Sequence, residues 1–479
     1  MKKMMKKVTA LLLSAAMALS MAGCTYTDST GNTGTASSTN NLDINCNDEA
    51  SGGTSSEYAL SEANYPEMAA YPNEEDYYSA NGDWDYDAWK ADYTAWQESY
   101  SALKDAEEGY DASLLAFFNT STAEMLTGAG EENRIYSPIN VWLALAMLAE
   151  TTDGDTRQEI LTFCGADDIE TLREQASDVW QMAYSDDGNV TTILGSSLWL
   201  SNSLDYHQEV LDTLAESYYA STYYGEMGSE DFSQALRDWL NAQTGGLLSE
   251  QAEGIELSAE TILALATTIY YKAAWVDEFS ENNTYQQTFH ALNGDIDCDF
   301  MHQTDTGYVY YGDGFMAMGL SLQQGGKMWL ILPDEDTTVD AVLNGTDLTA
   351  FISTKSKSEW ENRGYYQINL SLPKFDVCSN LGLIDSLASL GVTSVFDSAA
   401  ADFSPLTDTA NVYVSSVEHA ARVKIDEEGV EAAAYTVITA ESAEAETPQQ
   451  LDFTLDRPFL FAITDTNGLP LFVGVVNEP

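Results

Sequence analysis

From Val430 to Ala440 every second residue (Val430, Ala432, Ala434, Thr436, Ile438 and Ala440) is small or apolar, while Glu431 and Tyr435 fall between them. Side chains alternate across a strand, so a period of two describes a strand able to bury one face and show the other to solvent. The stretch follows Val423-Lys424-Ile425-Asp426-Glu427-Glu428-Gly429 and runs without a break into Ser442–Gln450, a polar segment containing Pro448 that reads as a protease-accessible surface loop. A fold for this chain must therefore keep a potential half-buried strand continuous with an exposed loop. Glu and Ala are also good helix formers, so the residues Glu431–Ala434 alone leave a short helix equally open.

Charge narrows the choice of partners. The 479 residues hold 19 Lys+Arg against 77 Asp+Glu, a formal net charge of −58, which excludes a surface built to neutralise phosphates, and with it nucleic-acid binding. Lys2, Lys3, Lys6 and Lys7 precede an apolar run from Val8 to Leu13 that continues through small residues to Ala22, the pattern of a secretory signal. Met21-Ala22-Gly23-Cys24 resembles a bacterial lipobox, in which Cys24 would carry lipid and tether a cell-surface lipoprotein; an ordinary signal cleaved near Gly23, giving a secreted chain, is the alternative. Loss of residues 1–24 removes four lysines and no acid, taking the net charge from −58 to −62.

Residues 25–56 are rich in Ser, Thr, Asn and Gly, and residues 57–100 alternate acids with Tyr and Trp, as in Asp83-Trp84-Asp85-Tyr86-Asp87. Together, residues 25–104 read as a mostly flexible acidic spacer, with a small helical patch or an aromatic surface for a wall glycan as other readings. The globular unit is expected over 105–479. In it Leu114, Leu115, Phe117, Phe118, Met125 and Leu126 suggest a first helix, and Val141–Ala149 a helix apolar all round and hence buried. Strand-like runs follow at Thr191–Leu200, Thr267–Tyr271, Val309–Tyr311, Met328–Leu332, Gln367–Leu372 and Phe459–Thr464. Helices and strands are segregated rather than regularly alternating, which favours an α+β unit.

Catalytic motifs are absent: there is no G-x-S-x-G elbow, no phosphate loop and no H-E-x-x-H. The scattered Cys24, Cys46, Cys164, Cys298 and Cys378, and His207, His290, His302 and His419, show no metal-ligand spacing, so neither metal nor cofactor is expected.

Glu427-Glu428-Gly429-Val430-Glu431-Ala432-Ala433-Ala434 resembles the hinge of the reactive-centre loop of serpins. Other stretches resemble the family in the family's order: Asn133-Arg134-Ile135-Tyr136-Ser137-Pro138, Gly154-Asp155-Thr156-Arg157, Trp239-Leu240-Asn241, Tyr270-Tyr271-Lys272-Ala273-Ala274-Trp275, Leu372-Pro373-Lys374-Phe375, Ala401-Asp402-Phe403-Ser404 and Arg457-Pro458-Phe459. They cover residues 105–479. The resemblance implies a serpin fold, roughly three β-sheets with eight or nine helices and an exposed loop, in which Trp275, Pro373, Phe375, Pro458 and Phe459 are structural.

It also implies a function: not an enzyme but a suicide substrate for a serine protease, whose cleaved loop inserts into the main sheet and traps the acyl-enzyme. The hinge would be Glu427–Ala434 with Thr436, and family spacing puts the scissile bond at Ala443-Glu444, with Ala445-Glu446 as second choice. Either alanine fits an elastase-like protease, and Glu441, Glu444 and Glu446 favour a basic one. A polar cluster at the shutter, where the sheet must part, would comprise Ser137, Asn140, Thr267 and His419, with Asn140 expected to hydrogen-bond His419. Ile169–Ala183 offers only Arg173 as a base, so heparin activation is not expected. A monomer is expected, touching membrane only through its lipid. A non-inhibitory serpin-fold binding module and a glycan-binding lipoprotein are the alternatives.

Overall fold

A computed structural model describes residues 55–79, 81–105, 111–246, 248, 252–430 and 448–479. Among these are ten α-helices: α1 (Tyr86–Leu103), α2 (Ala112–Leu126), α3 (Pro138–Glu150), α4 (Gly154–Cys164), α5 (Ile169–Ala183), α6 (Gln208–Ser217), α7 (Glu230–Gln243), and the short α8 (Val339–Leu343), α9 (Asp347–Ser353) and α10 (Ile384–Ser389). The main sheet runs in the order β1 (Ala59–Ser61), β5 (Ala220–Gly225), β4 (Val190–Ser201), β6 (Leu263–Ala274), β14 (Gly429–Val430), β13 (Val414–Ile425) and β12 (Phe375–Gly382), with β3 (Ser185–Asp186) paired to β4. The second sheet runs β15 (Gln450–Thr454), β11 (Arg363–Pro373), β8 (Gly294–Gly312), β9 (Phe315–Ser321), β10 (Lys327–Pro333), β16 (Phe459–Thr464), β17 (Pro470–Val476) and β2 (Arg134–Tyr136), with β7 (Thr284–Ala291) on β8.

This is the expected α+β architecture. Among the described residues the strands form two sheets where roughly three were expected, because the 19-residue β8 pairs with β7 over its first half and with β11 and β9 over its second, joining two regions into one sheet.

The core forms around α3, all thirteen of whose residues are buried. Its start is set locally: Ser137 caps the helix by accepting from Asn140 N–H, and Pro138 takes the first turn, where its missing N–H costs nothing. Pro373 ends β11, and the chain re-enters as β12 at Phe375, whose ring packs against those of Phe459 and Phe461. Pro458 precedes β16, whose first residue, Phe459, is fully buried.

Residues 55–104 depart from the expected flexible spacer. β1 adds a strand to the edge of the main sheet by pairing with β5, and the Tyr65 ring packs on Trp180 and Tyr184. Asp187, in the β3–β4 turn, is a hub. Its carboxylate accepts from Trp96 Nε1 at 2.8 Å, from Gln324, and from the backbone N–H of Asn189 and Val190, while its carbonyl accepts from Tyr71 N–H at 2.8 Å. Lys104 Nζ donates to the carbonyls of Gln181, Met182 and Tyr184, capping the end of α5 from outside with a positive charge. Burial pulls the Lys104 ammonium down to about 8 although Asp465 and Asp187 oppose the shift. The remainder of the segment, with Cys24, lies outside the described residues.

Removing a buried hub leaves several donors without partners, at about 1–3 kcal/mol for each unsatisfied group. Asp187→Ala is therefore expected to loosen residues 55–105, accelerating limited proteolysis within them at least about tenfold while cleavage elsewhere in the native protein keeps its rate.

Candidate functional site: the opening in the main sheet

β6 and β13 are parallel neighbours and pair from Leu263 with Val414 to Ile269 with Ala421. Beyond that pair the strands separate. At the far end of the opening, β14 lies antiparallel to both, with Val430 opposite Ile425 on one side and Ala273 on the other, and Gly429 opposite Ala274. Among the described residues, Tyr270–Lys272 and Arg422–Lys424 face each other with nothing paired between them. The Val430 side chain is buried against the core.

Five hydrogen bonds fix the strand end that leads into the opening. Trp275 donates its backbone N–H to Glu428 O and its indole N–H to Asp426 O, each at 2.9 Å. Phe279 N–H donates to Glu427 O. The Glu427 carboxylate accepts from Lys374 Nζ at 2.6 Å and from Thr284 Oγ1 at 2.8 Å. Burial by itself would raise the Glu427 carboxyl, but these hydrogen bonds prevail and hold it below its usual range. Glu428 moves the other way, raised by burial and by its neighbours Asp426, Glu278, Glu281 and Glu427.

The closed part of the sheet is fastened at His419. Its Nε2 accepts from Ser137 N–H at 3.0 Å, which puts the ring proton on Nδ1, within 3.1 Å of Thr267 Oγ1. Thr267 is also the residue directly opposite His419 in the β6–β13 register, so one imidazole joins both strands to the start of α3. Burial drives the His419 pKa down to about 4, which keeps the ring neutral and Nε2 an acceptor. The expected hydrogen bond from Asn140 to His419 is not made. Asn140 is fully buried on the first turn of α3, but its amide oxygen and nitrogen have no partner among the described residues, and the backbone N–H of Ser137 already occupies the imidazole acceptor.

Of the remaining expected residues, Glu427, Glu428, Gly429 and Val430 stand together at the opening beside Trp275. Glu431, Ala432, Ala433, Ala434, Thr436, and both scissile-bond pairs, Ala443-Glu444 and Ala445-Glu446, lie outside the described residues. The chain returns at β15, where Gln450 pairs in parallel with Gln367 of β11. The clasp of Lys374 and Thr284 on Glu427 was not anticipated; Lys374 and Glu427 are 53 residues apart and no local pattern links them.

The family model described as Serpin (serine protease inhibitor) matches residues 115–479. The chain is a serpin. Among its relatives are Serpin-Z2B of Triticum aestivum, 29% identical over 371 residues that cover 72% of this chain and 90% of that protein, and Serpin-ZX of Hordeum vulgare, 30% identical over 373 residues with the same coverage. Solved structures agree on the fold: the thermophilic serpin tengpin in the native state (TM-score 0.68, 23% identity, 78% of this chain and 96% of that one) and AtSerpin1 of Arabidopsis in its native stressed conformation (TM-score 0.68, 25% identity, 78% and 100%). Serpins are in general inhibitors of serine proteases rather than enzymes. The family match begins after residues 55–105, so β1 and α1 lie outside it.

A histidine whose folded pKa lies below its unfolded value of 6.5 binds fewer protons in the native state. Stability from His419 is therefore complete above pH 6.5 and is lost as the pH falls toward about 4. Urea unfolding of the native protein is expected to weaken between pH 7 and pH 4.5 by up to about 3 kcal/mol more than in His419→Gln, whose side chain does not titrate.

Proposed function

We propose that this serpin is an inhibitor that traps a serine protease by inserting its cleaved loop into the main sheet. The observation that carries the reading is the position of Gly429 and Val430, which already form the first two residues of a new strand between β6 and β13. Extending their register down the sheet pairs each later residue with one earlier residue on each neighbour. Ala434 would then lie between Ile269 and Ala421, Thr436 between Thr267 and His419, and Ala440 beside Leu263 at the start of β6. The small, apolar set Val430 to Ala440 shares one parity, so all would face the core as Val430 does, and Glu431 and Tyr435 would face outward.

Insertion costs the Thr267–His419 contact, and Thr436 arrives where it was with a hydroxyl of the same kind. The polar cluster is therefore re-satisfied once the sheet has opened. Cleavage after Ala443 would free a strand of about 14 residues counted from Gly429, able to carry an attached protease on the order of 45 Å at about 3.3 Å per residue. Displacing the acyl serine from its oxyanion donors removes the help that deacylation needs, and the ester persists. Small residues before the cut suit an elastase-like pocket. An acidic chain carrying a lipid at Cys24 would hold such an inhibitor at a bacterial surface and gather cationic enzymes to it. Monomeric action without heparin belongs to the same reading.

Incubation with a neutrophil-type elastase is expected to give a covalent complex that survives denaturing electrophoresis, with the released C-terminal peptide beginning at Glu444. Thr436→Arg, which would bury a charge at the shutter, is expected to turn the protein into a substrate, with at least about tenfold more inhibitor consumed per protease trapped. Simple cleavage of the wild-type chain without a complex would establish the non-inhibitory alternative. The glycan reading would instead need retention of the α1 segment on wall polymer; its rings largely stack on one another, as Trp89 does on Tyr93 with centroids 5.0 Å apart.

A further inference from the structure

A cavity of about 110 Å³ lies where β8 and β9 diverge. The two strands pair only from Tyr310–Gly312 to Phe315–Ala317. Nearer its start β8 is held by β11, from Phe300 opposite Pro373 to Tyr310 opposite Arg363, while the end of β9 is held by the residues after β6, through the Trp275–Leu322 bridge and Val276 N–H on Ser321 O. The buried residues of its lining are apolar: Trp275, Met318, Ile368 and Leu370. The two carboxylates on its lining, Asp277 and Asp305, are exposed and make no ion pair among the described residues; Asp305 accepts only from Thr306 N–H. Beside them Tyr308 and Tyr365, both about half exposed, face each other with ring centroids 5.2 Å apart, and Arg363 covers one face of Tyr308 at 5.1 Å.

The cavity stands between the two ends of the reactive loop. On one side its Trp275 holds Asp426 and Glu428, just before the chain enters β14. On the other, its Ile368 and Leu370 are paired with Leu451 and Phe453, just after the chain returns. Both anchors of residues 431–447 therefore lie beside this opening. The chemistry of the opening selects among partners: an apolar floor accepts a methylene stem and unpaired carboxylates accept a cationic head, as long basic side chains need.

We propose that the cavity is a second docking site for the protease, receiving a lysine or arginine from one of the enzyme's surface loops, with its stem on Trp275 and Ile368 and its charge at Asp277 and Asp305. The proposal rests on the reading that a protease docks at the loop. Contacts of this kind act on encounter before any bond is cut. They set which protease is captured and how fast, and leave the partition between trapping and release to the hinge.

The test compares the full chain with Asp277→Asn/Asp305→Asn, against a basic neutrophil-type elastase. The double variant is expected to form covalent complex about tenfold more slowly at low salt, with an unchanged number of inhibitor molecules consumed per enzyme, and the gap should close in about 0.5 M salt. Asp167→Asn/Glu170→Gln, an equal loss of charge at the start of α5, is expected to keep the wild-type rate. Equal rates for wild type and Asp277→Asn/Asp305→Asn would overturn the docking site and leave inhibition standing. If no covalent complex forms with any chain, titration with the active-site-blocked elastase decides. Binding weakened about tenfold by the double variant sustains the site while the inhibitory reading falls. Absence of binding, or equal binding, overturns the site as well.

Discussion

The rest of the molecule depends on one pairing, the parallel contact between β6 and β13. It is the only place among the described residues where the two halves of the main sheet meet directly, and it ends part-way along both strands, at Ile269 and Ala421. Parallel neighbours of this kind leave a slot of the right polarity for an antiparallel strand, and β14 shows the slot already in use for two residues. Among the described residues the sheet is closed from Leu263 to Ile269 and occupied by β14 for two residues at the other end. In the proposed mechanism its persistence would depend on what resists opening, since a strand entering the slot gains main-chain hydrogen bonds.

His419 supplies the resistance at the point where resistance counts. Any strand advancing from Val430 must pass between Thr267 and His419, and the imidazole is bound there to Thr267 and to the start of α3 at once. In the proposed insertion, opening the sheet would leave a buried imidazole nitrogen without its hydroxyl until Thr436 arrived, a cost of about 1–3 kcal/mol that would fall on the intermediate and on neither end state. Such a contact slows the transition without changing its direction. Asn140 takes no part, although it lies fully buried on the adjoining turn, and its unpartnered amide is a destabilising feature at the same locus.

What could be read in the sequence follows the range of the interactions involved. The buried α3 was legible because the nine successive residues Val141–Ala149 carry their own signal, and Val430–Ala440 because alternation is local. The strand runs were recognisable for the same reason. The shutter residues came from resemblance, and the one hydrogen bond assigned there beyond it, from Asn140, was misplaced because which donor reaches His419 is decided by a helix cap 282 residues away from the ring. Residues 55–104 misled for a related reason. Tyr86, Trp89, Tyr93, Trp96 and Tyr100 do follow a helix spacing, but what ties that helix to the domain includes Asp187, 91 residues beyond Trp96. Local composition described a spacer; a distant carboxylate made it part of the domain.

In the proposed mechanism the acidic surface and the inserting segment would divide the work. Insertion depends on neutral, small residues, and the chain keeps charge away from the face that must be buried: between Val430 and Ala440 its one acid, Glu431, falls on the outward parity. Capture depends on charge, which acts through solvent over about 8–10 Å at ordinary ionic strength. A net charge of −58 on a chain whose inserting face is uncharged lets the two requirements vary independently. Carboxylates around the loop can change the choice of protease without entering the sheet, and the hinge can change the outcome of capture without altering the encounter. On the proposed mechanism, Asp277 and Asp305 beside the cavity would be free to be charged, while the six residues of one parity from Val430 to Ala440 would not.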